Sequence, residues 1–201
     1  LTREVLRQAT CQLAEWRKAY PALNNLTMAV NLSPVQFEGG DIVADLRDAI
    51  AEASLQGDDL KVEITESLLM QNSERSSRTL DEIRDLGIQI CIDDFGTGYS
   101  SLSYLRTYSF DTLKIDRSFI SRITSEARDA ELVRTIVQLG QNVGMKIVVE
   151  GVETEDQMSL LRELGCHFLQ GFLVSRPLSP TEASDWLAIW QDAGSVAAND
   201  A

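Results

Sequence analysis

Polar side chains end nearly every short apolar run of this sequence that is suited to a β-strand. If these strands are parallel, their C-terminal ends meet at one face of the sheet, where parallel α/β folds place their active sites. The sequence therefore predicts one acidic pocket built from separate segments. The residues concerned are Asn31, Glu63, Asp93, Asp94, Lys114, Asp116 and Glu150.

The oxygen donors of this set favour a hard divalent cation. No cysteine or histidine cluster accompanies Asn31, Glu63 and Glu150, so Mg2+ or Mn2+ is favoured over Zn2+. Carboxylates crowded into one pocket would repel one another unless cations lie between them. The adjacent Asp93 and Asp94 can serve two ions, one carboxylate bridging, as in a two-metal phosphodiester hydrolase.

Lys114 and Asp116 lie at the end of a further predicted strand. Lys114 can orient an attacking water or offset charge on phosphoryl oxygens, and Asp116 can assist proton removal. Taken singly, an acidic residue at a strand end more often caps a helix or stays solvated in a loop. The repetition at nearly every strand end favours a shared site, because capping does not predict it.

Two other interpretations of single motifs are excluded by their context. Residues 94–96 form Asp-Phe-Gly, as in protein kinases, but no Gly-rich ATP loop or His-Arg-Asp motif accompanies them. The glycines of DFGTGYSS lack the Gly-Lys-Ser/Thr ending of a P-loop, and we interpret this segment as a flexible loop over the site. His167, the single histidine, is interpreted as a structural or rim residue.

Segments of strand length alternate with segments of helical periodicity, which predicts right-handed βαβ units and a parallel sheet. Thr154 and Gln157 fit a capping box, which explains both residues without function. Strands are predicted near 27–31, 60–64, 88–93, 112–115, 146–149 and 167–169. Helices are predicted near 3–18, 41–54, 69–86, 128–143, 154–164 and 180–190.

Six strands predict an incomplete (β/α)8, TIM-barrel-like fold. A complete eight-stranded barrel needs about 250 residues, whereas this chain has 201 and opens within a helical pattern. An open six-stranded sheet would leave edges that proteins normally cover. We therefore expect one N-terminally truncated domain over residues 1–192 and a flexible C-terminal tail over 193–201.

The composition limits the partners of the chain. A net charge of -13 argues against duplex DNA as a ligand, so a bound phosphate would need cations beside it. Three cysteines are an odd count and predict reduced thiols in a cytoplasmic domain. The longest apolar runs are too short to cross a bilayer, so we expect no direct membrane insertion by this segment, although the parent protein can be membrane-anchored.

The order and spacing of six motifs give the sequence a resemblance to a known family. The chain resembles the EAL family of cyclic di-GMP phosphodiesterases, whose modified eight-stranded barrel hydrolyses cyclic di-GMP to linear pGpG with Mg2+ or Mn2+. The motifs are VNLSPVQF at 30–37, EITES at 63–67, DDFGTGYSSLSYL at 93–105, LKIDRSFI at 113–120, VEGVET at 149–154 and QGFLVSRPL at 170–178.

This resemblance implies roles for individual residues. Asn31, Glu63 and Asp93 would bind one of two metal ions, and Asp93, Asp94 and Glu150 would bind the second. By the same resemblance, catalysis and substrate binding involve a second set of residues. Lys114 would hold the attacking water with Asp116 beside it, Gln170 and Asp94 would line the substrate site, and Glu66 would anchor the DFGTG loop, which in the family couples dimerisation to activity.

The chain departs from the family pattern in one serious respect. The Glu-Ala-Leu motif, with its metal-binding glutamate, normally precedes the helix that begins at Leu1, and it is absent from these 201 residues. Two smaller departures are Val149, where alanine is usual, and His167, where an acidic residue is common. Since the other motif acids are present, we expect the parent protein to be an active enzyme and this chain alone to be inactive or nearly so.

Other functions remain open at this stage. The first alternative is a non-catalytic module that binds cyclic di-GMP and regulates a partner. The second is an unrelated metal-dependent barrel enzyme that acts on a small phosphate or carboxylate substrate. The family resemblance also implies a homodimer and flanking sensory or GGDEF-type domains in the parent protein.

Overall fold

The computed structural model describes residues 2–39, 41–70, 74–97 and 104–197. Six parallel strands form one sheet in the order in which they occur along the chain. They lie close to the predicted positions. The strands are β1 (Met28–Leu32), β2 (Leu60–Thr65), β3 (Gln89–Phe95), β4 (Thr112–Ile115), β5 (Lys146–Val149) and β6 (Phe168–Leu169).

Helices alternate with these strands as the sequence predicts. The helices are α1 (Thr2–Ala19), α2 (Pro34–Gly39), α3 (Ile42–Ala53), α4 (Glu66–Met70), α5 (Glu74–Asp85), α6 (Tyr104–Thr107), α7 (Ala127–Asn142), α8 (Glu155–Glu163) and α9 (Pro180–Ala197). Short 3-10 turns cover Pro21–Leu23, Gly57–Asp59 and Arg117–Phe119.

Two predicted helices need correction, and two short helices were not predicted. The single helix predicted over 69–86 is two helices, α4 and α5, and residues 71–73 between them lie outside the described part of the chain. The short helices α2 and α6 were missed because six and four residues are too few to show helical periodicity. Helix α9 extends to Ala197, beyond the predicted end at 190, and residues 198–201 of the predicted tail are outside the described ranges.

The sheet forms a half-barrel that carries helices on one side. Strands β1 and β6 are the two ends of the strand order, and within the described residues neither pairs with a further strand. This arrangement confirms the prediction of an incomplete, TIM-barrel-like α/β fold with six parallel strands.

In the described residues, no helix combines the length and the hydropathy that a membrane span needs. The three cysteines, Cys11, Cys91 and Cys166, form no disulfide.

The two faces of the sheet bury different kinds of side chain. In β2, Leu60, Val62 and Ile64 are fully buried in the apolar core with the helices, whereas the alternate residues Lys61 and Glu63 are only partly buried. Successive side chains of a strand point to opposite faces. The inner face of the half-barrel therefore presents polar side chains, and its C-terminal edge receives the site residues.

Gly57 makes a close backbone contact at the opposite, N-terminal end of the strands. A Cβ atom built on Gly57 would lie 1.8 Å from the carbonyl oxygen of Leu86, which cannot move without displacing the start of β3. We predict that Gly57→Ala lowers the free energy of unfolding by at least about 2 kcal/mol because of this overlap. Urea unfolding followed by circular dichroism measures the change.

Gly144→Ala is the matched control for this prediction. Gly144 precedes β5 with a φ of +83°, and a Cβ atom there would meet nothing within 4 Å. Gly144→Ala should therefore lower the free energy of unfolding only by the backbone strain of about 1–2 kcal/mol. Equal losses for the two variants would contradict the proposed role of the Gly57 contact.

Candidate active site

Three carboxylates from three strands surround one lysine at the C-terminal edge of the sheet. The Nζ atom of Lys114 in β4 lies 2.9 Å from Oε2 of Glu63, 3.0 Å from Oδ1 of Asp93 and 2.6 Å from Oε1 of Glu150. Glu63 and Asp93 belong to β2 and β3, and Glu150 directly follows β5. The structure therefore brings together four of the residues that the sequence predicted to meet.

Lys114 is the central cation of this cluster. Its side chain is 5% exposed. Burial alone would lower the pKa of its ammonium group, but the hydrogen bonds to Glu150 and Glu63 and the charge of Glu63 outweigh burial and raise the pKa above its usual range. Lys114 therefore stays charged and balances part of the negative charge around it.

Asp93, Asp94 and Glu150 form a group that can hold a metal ion. One carboxylate oxygen from each of these residues lies within 4.8 Å of the other two. Burial and the charges of Asp93, Asp116 and Glu150 raise the pKa of Asp94. Because this mutual repulsion disfavours the ionised state, a divalent cation among the three carboxylates would relieve it.

A local irregularity of β3 turns Asp94 toward this group. Consecutive side chains of a regular strand point to opposite faces, so Asp93 and Asp94 would not normally share a site. Here the register between β3 and β4 shifts between Ile92 and Phe95, and Asp94 has a φ of +53°. The backbone N–H of Asp94 also donates to Oδ1 of Asp93 at 3.0 Å. This left-handed residue is strained backbone of the kind found at functional sites.

Three other predicted site residues lie at the same edge without joining the central cluster. Asn31 in β1 is exposed and pairs in register with Glu63. Asp116 caps the 3-10 turn after β4, and its Oδ1 accepts the N–H of Ser118 at 3.0 Å. Burial opposes ionisation of Asp116, but the hydrogen bonds from Ser118 prevail and lower its pKa. Gln170 follows β6, beside Glu150, and is exposed.

Glu66 contacts the loop that follows β3 and begins with Gly96. Its Oε2 accepts the backbone N–H of Gly96 at 3.2 Å, and its side chain is buried. Residues 98–103, which complete the predicted loop over the site, lie outside the described residues. The role of Glu66 as an anchor of that loop therefore stays a prediction.

Tyr104 is a residue near the site that sequence reasoning missed. Burial and the charge of Glu66 raise the pKa of the Tyr104 hydroxyl above its usual range. Among the described residues, neither this hydroxyl nor Oε1 of Glu66 has a hydrogen-bond partner of good geometry. The two residues are far apart in the sequence, so no local pattern predicts this proximity.

His167 has the structural role that the sequence analysis gave it. Its Nδ1 accepts the backbone N–H of Ile147 at 3.0 Å, while the backbone N–H of His167 donates to the carbonyl oxygen of Ile147. The imidazole therefore adds one rung to the ladder between β5 and β6. This contact lies near the N-terminal end of both strands, away from the acidic cluster.

The fold and the acidic cluster together define a TIM-barrel-like domain with a candidate metal site at the C-terminal ends of its strands. The model of the EAL domain matches residues 1–177, and the chain belongs to this family. The resemblance found in the sequence motifs is thereby confirmed.

Relatives and solved structures support this assignment. The bifunctional diguanylate cyclase/cyclic di-GMP phosphodiesterase MucR of Pseudomonas aeruginosa is 44% identical over 174 residues, which cover 87% of this chain and 25% of MucR. The structure of the MucR phosphodiesterase in complex with c-di-GMP is 42% identical with a TM-score of 0.84, covering 90% of this chain and 73% of that one. This chain spans about a quarter of the length of the curated relatives it matches.

A third neighbour contains a divalent cation. The structure of Klebsiella pneumoniae BlrP1 is a complex with calcium and cyclic di-GMP. It has a TM-score of 0.79 at 30% identity, over 87% of this chain and 43% of that chain.

Removing the Lys114 ammonium would leave three carboxylates without their common cation. We predict that Lys114→Met lowers the free energy of unfolding by about 3 kcal/mol or more, because uncompensated buried charge is costly. Mn2+ should recover part of the loss, so the melting temperature of the variant should rise more with Mn2+ than that of the parent chain. Calorimetric melting with and without Mn2+ measures both effects.

Lys61→Met is the control, since it removes the same charge from β2, which is separated from β4 by β3. Lys61 lies 5.7 Å from the centroid of the Phe168 ring and pairs with no carboxylate among the described residues. Its loss should cost about 0.5–1 kcal/mol, with no added response to Mn2+. A similar Mn2+ response in both variants would exclude a cation site at the carboxylates around Lys114.

Proposed function

We propose that this domain hydrolyses cyclic di-GMP to linear pGpG with the help of two Mg2+ or Mn2+ ions. The observation that carries this proposal is the convergence of Asp93, Asp94 and Glu150 around a site next to the buried Lys114. Membership of the EAL family supports the reaction, and the c-di-GMP complexes of MucR and BlrP1 support the substrate.

The donor chemistry fits two hard cations. Asn31, Glu63 and Asp93 would hold one ion, and Asp93, Asp94 and Glu150 the other, with Asp93 shared. These oxygen ligands suit Mg2+ or Mn2+. When bound, the ions supply Lewis acidity and help to ionise the nucleophilic water.

The protein residues would orient the water and move its proton. Lys114 would hold the water in line with one phosphorus of cyclic di-GMP, and Asp116, ionised because of its lowered pKa, would assist removal of the proton. The water oxygen bonds to phosphorus as the P–O3′ bond breaks, which leaves a 5′-phosphate and a 3′-hydroxyl. Gln170 would contact the substrate at the rim.

Lys114 must change partners to perform this role. An ammonium group has three N–H donors, and three carboxylates lie within 3.0 Å of Nζ. Holding a water therefore requires the release of at least one carboxylate. Glu63 and Glu150 are both assigned to ions, so cation binding and release of an N–H would occur together.

We also propose flanking domains, a location in the cell and an oligomeric state for the parent protein. The chain covers only about a quarter of its curated relatives, which supports flanking sensory or GGDEF-type domains in the parent protein. We propose a cytoplasmic location, where cyclic di-GMP signalling takes place, and a homodimer whose activity is coupled to the loop beside Glu66.

The 201 residues contain no Glu-Ala-Leu motif, and we propose that this limits their activity when they are assayed by themselves. Without the glutamate of that motif, the ion at Asn31 and Glu63 lacks one ligand. We expect little or no turnover from the chain alone and recovery when a segment containing Glu-Ala-Leu-x-Arg is joined before Leu1. Failure to recover activity would contradict this explanation.

Asp93 is the residue that tests the proposed reaction most directly. In the domain completed with the Glu-Ala-Leu segment, Asp93→Asn should lower the rate of pGpG formation at least about 100-fold, because it weakens the shared ligand of both ions. Chromatography of the nucleotides with and without Mg2+ measures the rate.

Asp48→Asn is the matched control, because Asp48 pairs with Arg3 on the outer surface and makes the same change of charge. The Asp48→Asn variant should form pGpG at the same rate as the parent domain. If the completed parent domain binds cyclic di-GMP without forming any pGpG, the proposal of catalysis is wrong and the domain is a binding module.

A further inference from the structure

Two loops that carry site residues lie against each other at the C-terminal edge of the sheet. The loop over residues 116–120 follows β4 and includes the 3-10 turn Arg117–Phe119. The loop over residues 150–154 follows β5 and leads into α8. Their backbones are close, since a Cβ atom built on Gly151 would lie 2.3 Å from Cβ of Arg117.

Gln157, in the first turn of α8, joins these loops through both ends of its amide. Its Oε1 accepts the backbone N–H groups of Glu153 at 2.8 Å and Thr154 at 3.1 Å. Its Nε2 donates to the carbonyl oxygen of Ile120 at 3.2 Å. Gln157 is 7% exposed and Ile120 is fully buried, so the bridge is shielded from water.

The capping box accounts for only half of these contacts. A cap at this position needs an acceptor, which glutamate supplies as well as glutamine, and a carboxylate is favoured near a helix N-terminus. The donor Nε2 has no part in the cap. Glutamate would place an oxygen against the Ile120 carbonyl oxygen, so the bridge requires an amide where the cap does not.

Glu150 is the cluster residue most dependent on this bridge. Glu63 lies within β2, which pairs with β1 and β3, and Asp93 lies within β3, where it pairs with Thr65 of β2. Glu150 lies just after β5, at the start of the bridged loop, and its side chain is 23% exposed against 13% for the other two. Its backbone N–H still donates to the carbonyl oxygen of Ile115 at 3.0 Å. The ladder with β4 therefore fixes the N-terminal side of Glu150, whereas its C-terminal side depends on what fixes the loop.

We propose that Gln157 is a positioning residue for Glu150. By tying residues 150–154 to residues 116–120, its amide holds the Glu150 carboxylate beside Lys114 and the Asp93–Asp94 pair. This inference rests on the proposed function, because its consequence is tighter cation binding. Gln157 touches neither the cation site nor the substrate site and acts only through the loops.

Gln157→Glu separates the bridge from the cap, because it keeps the acceptor and removes the donor. In the 201-residue chain, we expect the dissociation constant for Mn2+ to rise about 10-fold or more, in the range found when groups that orient metal ligands are removed. Hydrogen exchange in the metal-free chain should become faster at residues 116–120 and 150–154. A Mn2+ titration followed by electron paramagnetic resonance measures the dissociation constant, and mass spectrometry measures the hydrogen exchange.

Thr154→Ala is the matched control, because it removes the other half of the capping box, the 3.2 Å bond from Gln157 N to Thr154 Oγ1. It should lower the melting temperature while leaving the Mn2+ dissociation constant within about twofold, as expected when a cap is lost without loss of the bridge. If Gln157→Glu does not fold, Gln157→Met, which removes both the acceptor and the donor, is compared with Thr154→Ala in the same measurements.

Several results would overturn the inference. If the Mn2+ affinity is unchanged in the Gln157 variant, or changes equally in Thr154→Ala, Gln157 acts only as a helix cap. If the parent chain binds no Mn2+, the proposed metal site is wrong independently of Gln157. In that case hydrogen exchange alone decides whether the bridge exists, and unchanged exchange at both loops would exclude it.

Discussion

The pairing of one buried ammonium with three carboxylates is the constraint on which the site depends. Glu63, Asp93 and Glu150 come from three different strand ends and would repel one another at this distance without a cation. Lys114 supplies that cation from the strand between Asp93 and Glu150. Because parallel strands bring all four side chains to one edge, the sheet order itself determines which charges meet.

The fold supports this cluster by separating apolar and polar faces along each strand. In β2, the fully buried Val62 and Ile64 contribute to the core while Glu63 points into the half-barrel. A slip of one residue in the register would exchange these faces. The apolar core therefore fixes the register, and the register in turn places the site residues at matching heights.

Repeated patterns in the sequence predict most of the fold and much of the site. Alternation of strands and helices predicts the parallel sheet, and polar strand ends predict that Glu63, Asp93, Lys114 and Glu150 meet. The sequence also predicted Asp94 in this site, but the irregular register with β4 that turns its side chain there was not predictable. The bridge from Gln157 to Ile120 spans 37 residues, and the local capping pattern already explained the glutamine.

The balance of charge within the site would also separate folding from the proposed binding of cations. In many metal domains, the ligands repel one another until the ion binds, so binding and folding are coupled. Here Lys114 contacts Glu63, Asp93 and Glu150 in the fold itself, which offsets much of that repulsion. A cation would then compete with an internal ammonium group for carboxylates that are already in place. The proposed cations could then exchange without unfolding of the domain, and their affinity would depend on how firmly the loop after β5 holds Glu150.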